Sequence, residues 1–198
     1  PSQELDQQEG AECLITQFGS GNEAYAVTDL TAAYERSGAE SVVRGLKMIK
    51  DRECVIIQDE ISLSAPGEIY WFAHTKGEIT VADDGRSAVV TVGSEKLFVE
   101  ILSNDGKFSV MKAEALPTSP VVPNQTNNSE YRKLAIHLTD TQNSTITVAC
   151  SPIKQEKAES SKELVLKGAL RFDFGGAGTE AGYIGVSAED AYNAETGY

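Results

Sequence analysis

The stretch Ile69-Tyr70-Trp71-Phe72-Ala73-His74-Thr75 gathers the side chains best suited to ligand chemistry. Aromatic rings can pack on the apolar face of a pyranose, and an imidazole exchanges protons or binds metal near neutral pH. As a strand, the stretch puts Ile69, Trp71 and Ala73 on one face and Tyr70, Phe72 and His74 on the other. Trp71 can therefore be a core ring, which its apolar alternates favour, or part of a sugar-stacking platform with Tyr70 and Phe72. His74, beside Trp71 and Thr75 at a strand end, either bonds locally at a sheet edge or faces a ligand. Arg44, in VVRGLKMIK, either pairs with Asp29, Asp59 or Glu60 or clamps a substrate carboxylate, and the ion pair is the favoured reading. His137 lies opposite Leu134, Ile136 and Leu138 and is expected to be exposed without a role.

Other candidates reduce to structural punctuation. Asp83-Asp84-Gly85 lacks further acidic residues at calcium-loop spacing, so it reads as a hairpin turn. Cys13, Cys54 and Cys150 form no CxxC pair, which excludes a zinc knuckle or thioredoxin-type site. An odd count leaves at least one thiol free, with buried apolar cysteines or one disulfide as the alternatives. Asn124, Asn127 and Asn143 begin glycosylation sequons, which matter only in a eukaryotic secretory route. No nucleophile elbow or P-loop occurs, and no metal or cofactor is expected.

The elements that would hold these residues are strands. Ala11 to Phe18 and Ala24 to Leu30 flank the turn Gly19-Ser20-Gly21-Asn22. Asp29 and Thr31 can cap one helical turn through Ala33 and Tyr34. Ser41 to Lys50 leads through Asp51-Arg52 into Val55 to Ile61. There Val55, Ile57 and Ile61 face one way and Cys54 and Ile56 the other, the mark of a central strand covered on both sides. Pro66-Gly67, Lys76-Gly77, Asp83-Asp84-Gly85 and Asn104-Asp105-Gly106 are each expected to separate paired strands. Ala88 to Val92, Lys96 to Leu102 and Lys107 to Lys112 lie between these turns. Pro117, Pro120 and Pro123 mark a surface loop. Lys133 to Leu138 and Thr145 to Cys150 then flank a turn at Thr141-Gln142-Asn143. The expected fold is an all-β antiparallel β-sandwich with little or no helix.

Composition narrows the partners. Thirty acidic against 17 basic residues give a net charge of −13, which argues against a nucleic-acid surface and against gripping a polyanion. No run of about 18 apolar residues occurs, so no membrane span is expected. Apolar residues make up 40%, enough for a core. Residues 151–162 are charged without apolar period and read as a linker. Residues 163–198 hold a strand, ELVLKGALRFDFG, then a glycine-rich tail.

The order AVTDLTAAY, the arginine of VVRGLKMIK, VIIQDEI and IYWFAHT resembles the later β-sheet domain of heparinase II/III-like polysaccharide lyases, over residues 10–150. The series RFDFG, GYIGV, AEDAY and ETGY resembles the start of the galactose-binding-like domain of rhamnogalacturonan acetylesterases, over residues 169–198. The first resemblance implies part of a supersandwich-type sheet domain, with an α/α-toroid as partner in the same polypeptide. It also implies β-elimination of uronic-acid glycans by the full protein, and secreted or periplasmic bacterial location. In that family the base comes largely from the toroid, and a histidine and zinc ligands come from a His-rich motif that this sequence lacks. The resemblance therefore implies a non-catalytic support. The alternatives are a carbohydrate-binding module, through Trp71, His74, Tyr70 and Arg44, or a spacer between domains.

Overall fold

The computed structural model describes residues 11–116 and 128–154, together with the backbone of 172–173 and 184–185. The proline-rich loop, Asn124, Asn127, most of the expected linker and the strand-and-tail region lie outside the described residues, apart from a two-residue parallel ladder between Phe172–Asp173 and Ile184–Gly185.

Nine strands form one antiparallel sheet: β1 (Leu14–Gly19), β2 (Tyr25–Asp29), β3 (Ala39–Ile49), β4 (Cys54–Thr75), β5 (Glu78–Val81), β6 (Ser87–Val92), β7 (Glu95–Ile101), β8 (Phe108–Lys112) and β9 (Arg132–Pro152). Their order is β1-β2-β3-β4-β9-β7-β6-β5, and β8 pairs with β9 as well. The only α-helical segment among the described residues is the turn Thr31–Tyr34, followed by the 3-10 turn Glu35–Ser37. The Asp29 carboxylate accepts the Thr31 N–H at 2.9 Å, an Asx-type contact that turns the chain out of β2.

Two long strands, β4 and β9, pair along nearly their whole length and organise the rest. Neither breaks where a turn was expected. Pro66 lies where the β4–β9 register shifts, between Ser62 and Gly67. Its missing N–H therefore costs no ladder bond, and pairing resumes at Gly67. On β9 the irregularity is absorbed by Asp140, at φ 51°, and Thr141 pairs on to Gly67 without a hairpin. Asn104-Asp105-Gly106 also fails to make a hairpin. β7 and β8 both run antiparallel to β9, against Val148–Pro152 and Arg132–Ile136. The chain thus leaves the sheet and rejoins it in the same direction. Arg86 fixes this detour by donating to the carbonyls of Ile101, Ser103, Asn104 and Gly106. Lys76-Gly77 is a turn whose flanking strands pair elsewhere, β4 with β9 and β5 with β6. Asp83-Asp84-Gly85 does close a hairpin, with Gly85 at φ +74°.

The sheet bends across itself, which makes the structure sandwich-like. The main core joins Ile69, Trp71, Phe108, Leu134 and Ile136 from one half of the long pair to Ala88, Val99, Ile101, Ile146 and Val148 around the other. A smaller cluster of Val27, Cys54, Ile56, Leu102 and Ala149 covers the opposite face. Residues 54–57 are therefore apolar on both sides, as their pattern requires: Ile57 packs against the first cluster and Cys54 and Ile56 sit in the second. Each fully buried Ile, Leu or Val contributes about 1.5–3 kcal/mol of transfer free energy.

Candidate functional site

The register of β4 against β9 sets the chemistry of residues 69–75. Trp71 pairs with Ile136 and Tyr70 with His137, so neighbouring residues go to opposite faces. Trp71 is 5% exposed in the main core, tilted against Phe108 at 6.3 Å. Its indole nitrogen has no hydrogen-bond partner there. A ring so enclosed offers no face to a sugar.

The opposite face carries a run of rings. His137 stacks on Tyr70 with centroids 4.0 Å apart and planes within 7°. Tyr70 stacks on Phe72 at 5.5 Å, and Phe72 meets His74 edge-on at 6.1 Å. The Lys133 ammonium lies 4.5 Å from the Phe72 centroid and donates to the Glu114 carbonyl at 2.7 Å. At the other end the His137 Nε2 stands 3.5 Å from Glu68. Burial raises the Tyr70 phenol pKa, and the Glu68 charge adds to the effect.

Sequence reasoning placed Tyr70, Phe72 and His74 on this face. It missed that His137 belongs to the stack and that Lys133 caps it. Alternation gives the face of each strand but not the pairing, and only the β4–β9 register, set through two shifts, puts His137 opposite Tyr70. These rings engage one another and an ammonium, which stabilises the face through cross-strand pairs and cation–π attraction. Exposed His74 and the outer side of His137 remain for contact with a ligand.

Arg44 lies elsewhere, on the core-side face of the other half. Its Nε and Nη2 donate to the Asp59 carboxylate at 2.7 and 3.0 Å, a bidentate fork. The hydrogen bond to Asp59 raises the Arg44 pKa, so its charge is fixed at every relevant pH. The structural ion pair is thus formed, with Asp59 as partner, and Arg44 does not meet Tyr70, His74 or Trp71 in one site. All three cysteines are free. Cys150 pairs with Val55 while Cys54 pairs with Ile49, which sends the two sulfurs to opposite faces. Among the described residues no three His, Cys, Asp or Glu side chains converge on a point that could hold a metal, so the residues present do not fit the zinc that the family resemblance implies.

The arrangement is a bent antiparallel sheet with a structural ion pair on one face and an aromatic stack on the other, the class of an all-β sandwich scaffold. Solved structures share it. The chain is similar to heparan sulfate lyase HepC from Pedobacter heparinus, with a TM-score of 0.55 and 10% identity, covering 74% of this chain and 22% of that one. It is also similar to a heparinase III, the BT4657 gene product, with a TM-score of 0.50 and 16% identity, covering 72% of this chain and 22% of that one. At such identities the likeness shows the fold, a heparinase-like β-sheet domain. No family model matches the sequence, and no curated protein matches it.

Proposed function

We propose that this chain is the sheet portion of a heparinase II/III-like polysaccharide lyase, supporting a helical toroid carried by the rest of the polypeptide. The observation that carries the reading is the likeness to HepC over 74% of this chain but only 22% of that lyase. On this reading residues 1–150 are the sandwich, 151–162 a linker and 163–198 the start of a galactose-binding-like domain. The full protein cleaves uronic-acid glycans by β-elimination, in which the proton α to the carboxylate is lost, the 4-linked oxygen is expelled and a ring double bond forms. It works in the periplasm or outside the cell. Among the described residues no helix is long and apolar enough to cross a membrane.

What β-elimination needs supports the reading. A base must remove the proton α to the uronate carboxylate, and a second group must neutralise that carboxylate. Tyr70, His74 and His137 stand on one face of one half, while Arg44 is committed to Asp59 on the other face of the other half. Arg44 is therefore not placed to neutralise a carboxylate held at Tyr70, His74 and His137. Incubating the purified chain with uronic-acid polysaccharides should give no rise in ultraviolet absorbance from unsaturated product, whereas the longer protein should give one. Product formed by the chain alone, and lost in His74→Ala or Tyr70→Phe, would refute the support role.

A second reading, glycan contact at the outer face, is favoured by exposed His74 beside the Tyr70–His137 stack. Calorimetric titration with neutral and acidic oligosaccharides should then show binding that Tyr70→Ala abolishes. Trp71 and Arg44 take no part in it.

A further inference from the structure

The core-side face of the sheet does not end where the main core ends. Through the ladder, Ile15 aligns with Thr28, Arg44, Asp59 and Ile146 in turn. Phe18 aligns likewise with Ala26, Leu46, Ile57 and Val148. Ile146 and Val148 are core residues. At the far end of the same rows Ile15 is 65% exposed, Phe18 77% and Leu46 37%.

A register shift between Ile15 and Gln17 makes this possible. Residues three apart on a regular strand point to opposite faces, and one extra residue brings them to the same face. The bulge thus sets Ile15 and Phe18 side by side on the core-side face. Within the Ile15 row, between that residue and the core, stands Arg44, its side chain 39% exposed and its fork closed on Asp59. Phenylalanine and arginine around an apolar centre are what binding surfaces concentrate.

We infer that the core-side face of β1–β3, with Ile15, Phe18, Leu46 and Arg44, is the seat on which the remaining polypeptide of the same protein docks. The inference rests on the scaffold reading given above. Two observations choose this occupant over a second copy. Solved structures sharing this fold carry it as 22% of a longer chain. Two copies would bring together molecules of net charge −13 each, and like charge opposes association. The docking surface should be apolar, with a carboxylate or carbonyl opposite Arg44.

Single cysteines at the seat, Phe18→Cys and Ile15→Cys, test this in a Cys13→Ser background. Leu14→Cys, on the other face of the same strand, is the control. Cys54 is buried and burial pushes the Cys150 thiol up to about 11, so both label slowly. Maleimide labelling is compared between the 198-residue chain and the longer protein. The expected result is a fall of about tenfold or more at positions 15 and 18 in the longer protein, with position 14 unchanged. Equal rates at 15 and 18 in both proteins would overturn the seat. So would sedimentation showing that the chain alone is a dimer that Phe18→Lys dissociates. Eliminase activity measured on the same longer protein separates the two ideas, since protection without activity retains the seat and removes the lyase reading, and activity without protection does the reverse.

Discussion

The β1 and β5 edges of the sheet differ in how they meet solvent. At the β5 edge the strand is four residues long, with Glu78 and Thr80 outward and Ile79 and Val81 packed against the core. Arg132 reaches over from β9 to the Gly77 carbonyl at 2.9 Å and the Glu78 carboxylate at 2.6 Å. At the β1 edge Leu14, Ile15 and Phe18 stand more than half exposed, with no charge inside Leu14–Gly19. Natural sheets blunt free edges with short strands and charge. One edge is therefore finished, and the other is apolar and open among the described residues.

Substitutions can break or sharpen the contrast. The largest effect belongs to the centre: Ile56→Ala removes a side chain with 0% exposure and should lower unfolding stability by about 3 kcal/mol in urea titrations. Next comes alkaline pH. Cys150 lies on the core side of β9, paired with Val55 and Val99, and burial raises its thiol from an ordinary 9.0 to about 11. The neutral thiol is favoured by folding, so its contribution is complete below pH 9 and is lost as pH rises through about 11. That loss is about 2 kcal/mol, and Cys150→Val should flatten it in pH-dependent melting. At the finished edge, Arg132→Ala forfeits a bond to Gly77 and a surface pair, about 0.5–1 kcal/mol by the same titration. At the open edge, Phe18→Ser should shift stability by less than about 0.5 kcal/mol in this chain. A cost near that of Ile56→Ala would mean that β1 is already packed and the contrast false.

Much of this architecture is legible in residue alternation. The two-faced strand at residues 54–57, the burial of Trp71, the turn at Thr31–Tyr34 and the hairpin at Asp83-Asp84-Gly85 all follow from local pattern and backbone preference. The Arg44 pair is also foreshadowed, since a charge set among apolar alternates requires a partner. What escapes is long-range. Proline and glycine at 66–67 signal a turn only if the strand must keep a perfect ladder there, and a bulge removes that requirement. Asn104-Asp105-Gly106 looks like a hairpin because sequence carries no record of which strand lies alongside. The joining of His137 and Lys133 to Tyr70 and Phe72 depends on the β4–β9 register, and the pairing of Ile15 with Phe18 on one face depends on an inserted residue. Both are decided by pairing partners far along the chain.

Native-state hydrogen exchange tests the contrast between centre and open edge most directly. The account predicts that the amides of Ile56–Glu60 and Ile146–Ala149 exchange only through global unfolding, while those that β1 and β2 share open at least about 2 kcal/mol more easily. Equal protection of β1 and the β4–β9 centre in the isolated chain would contradict it.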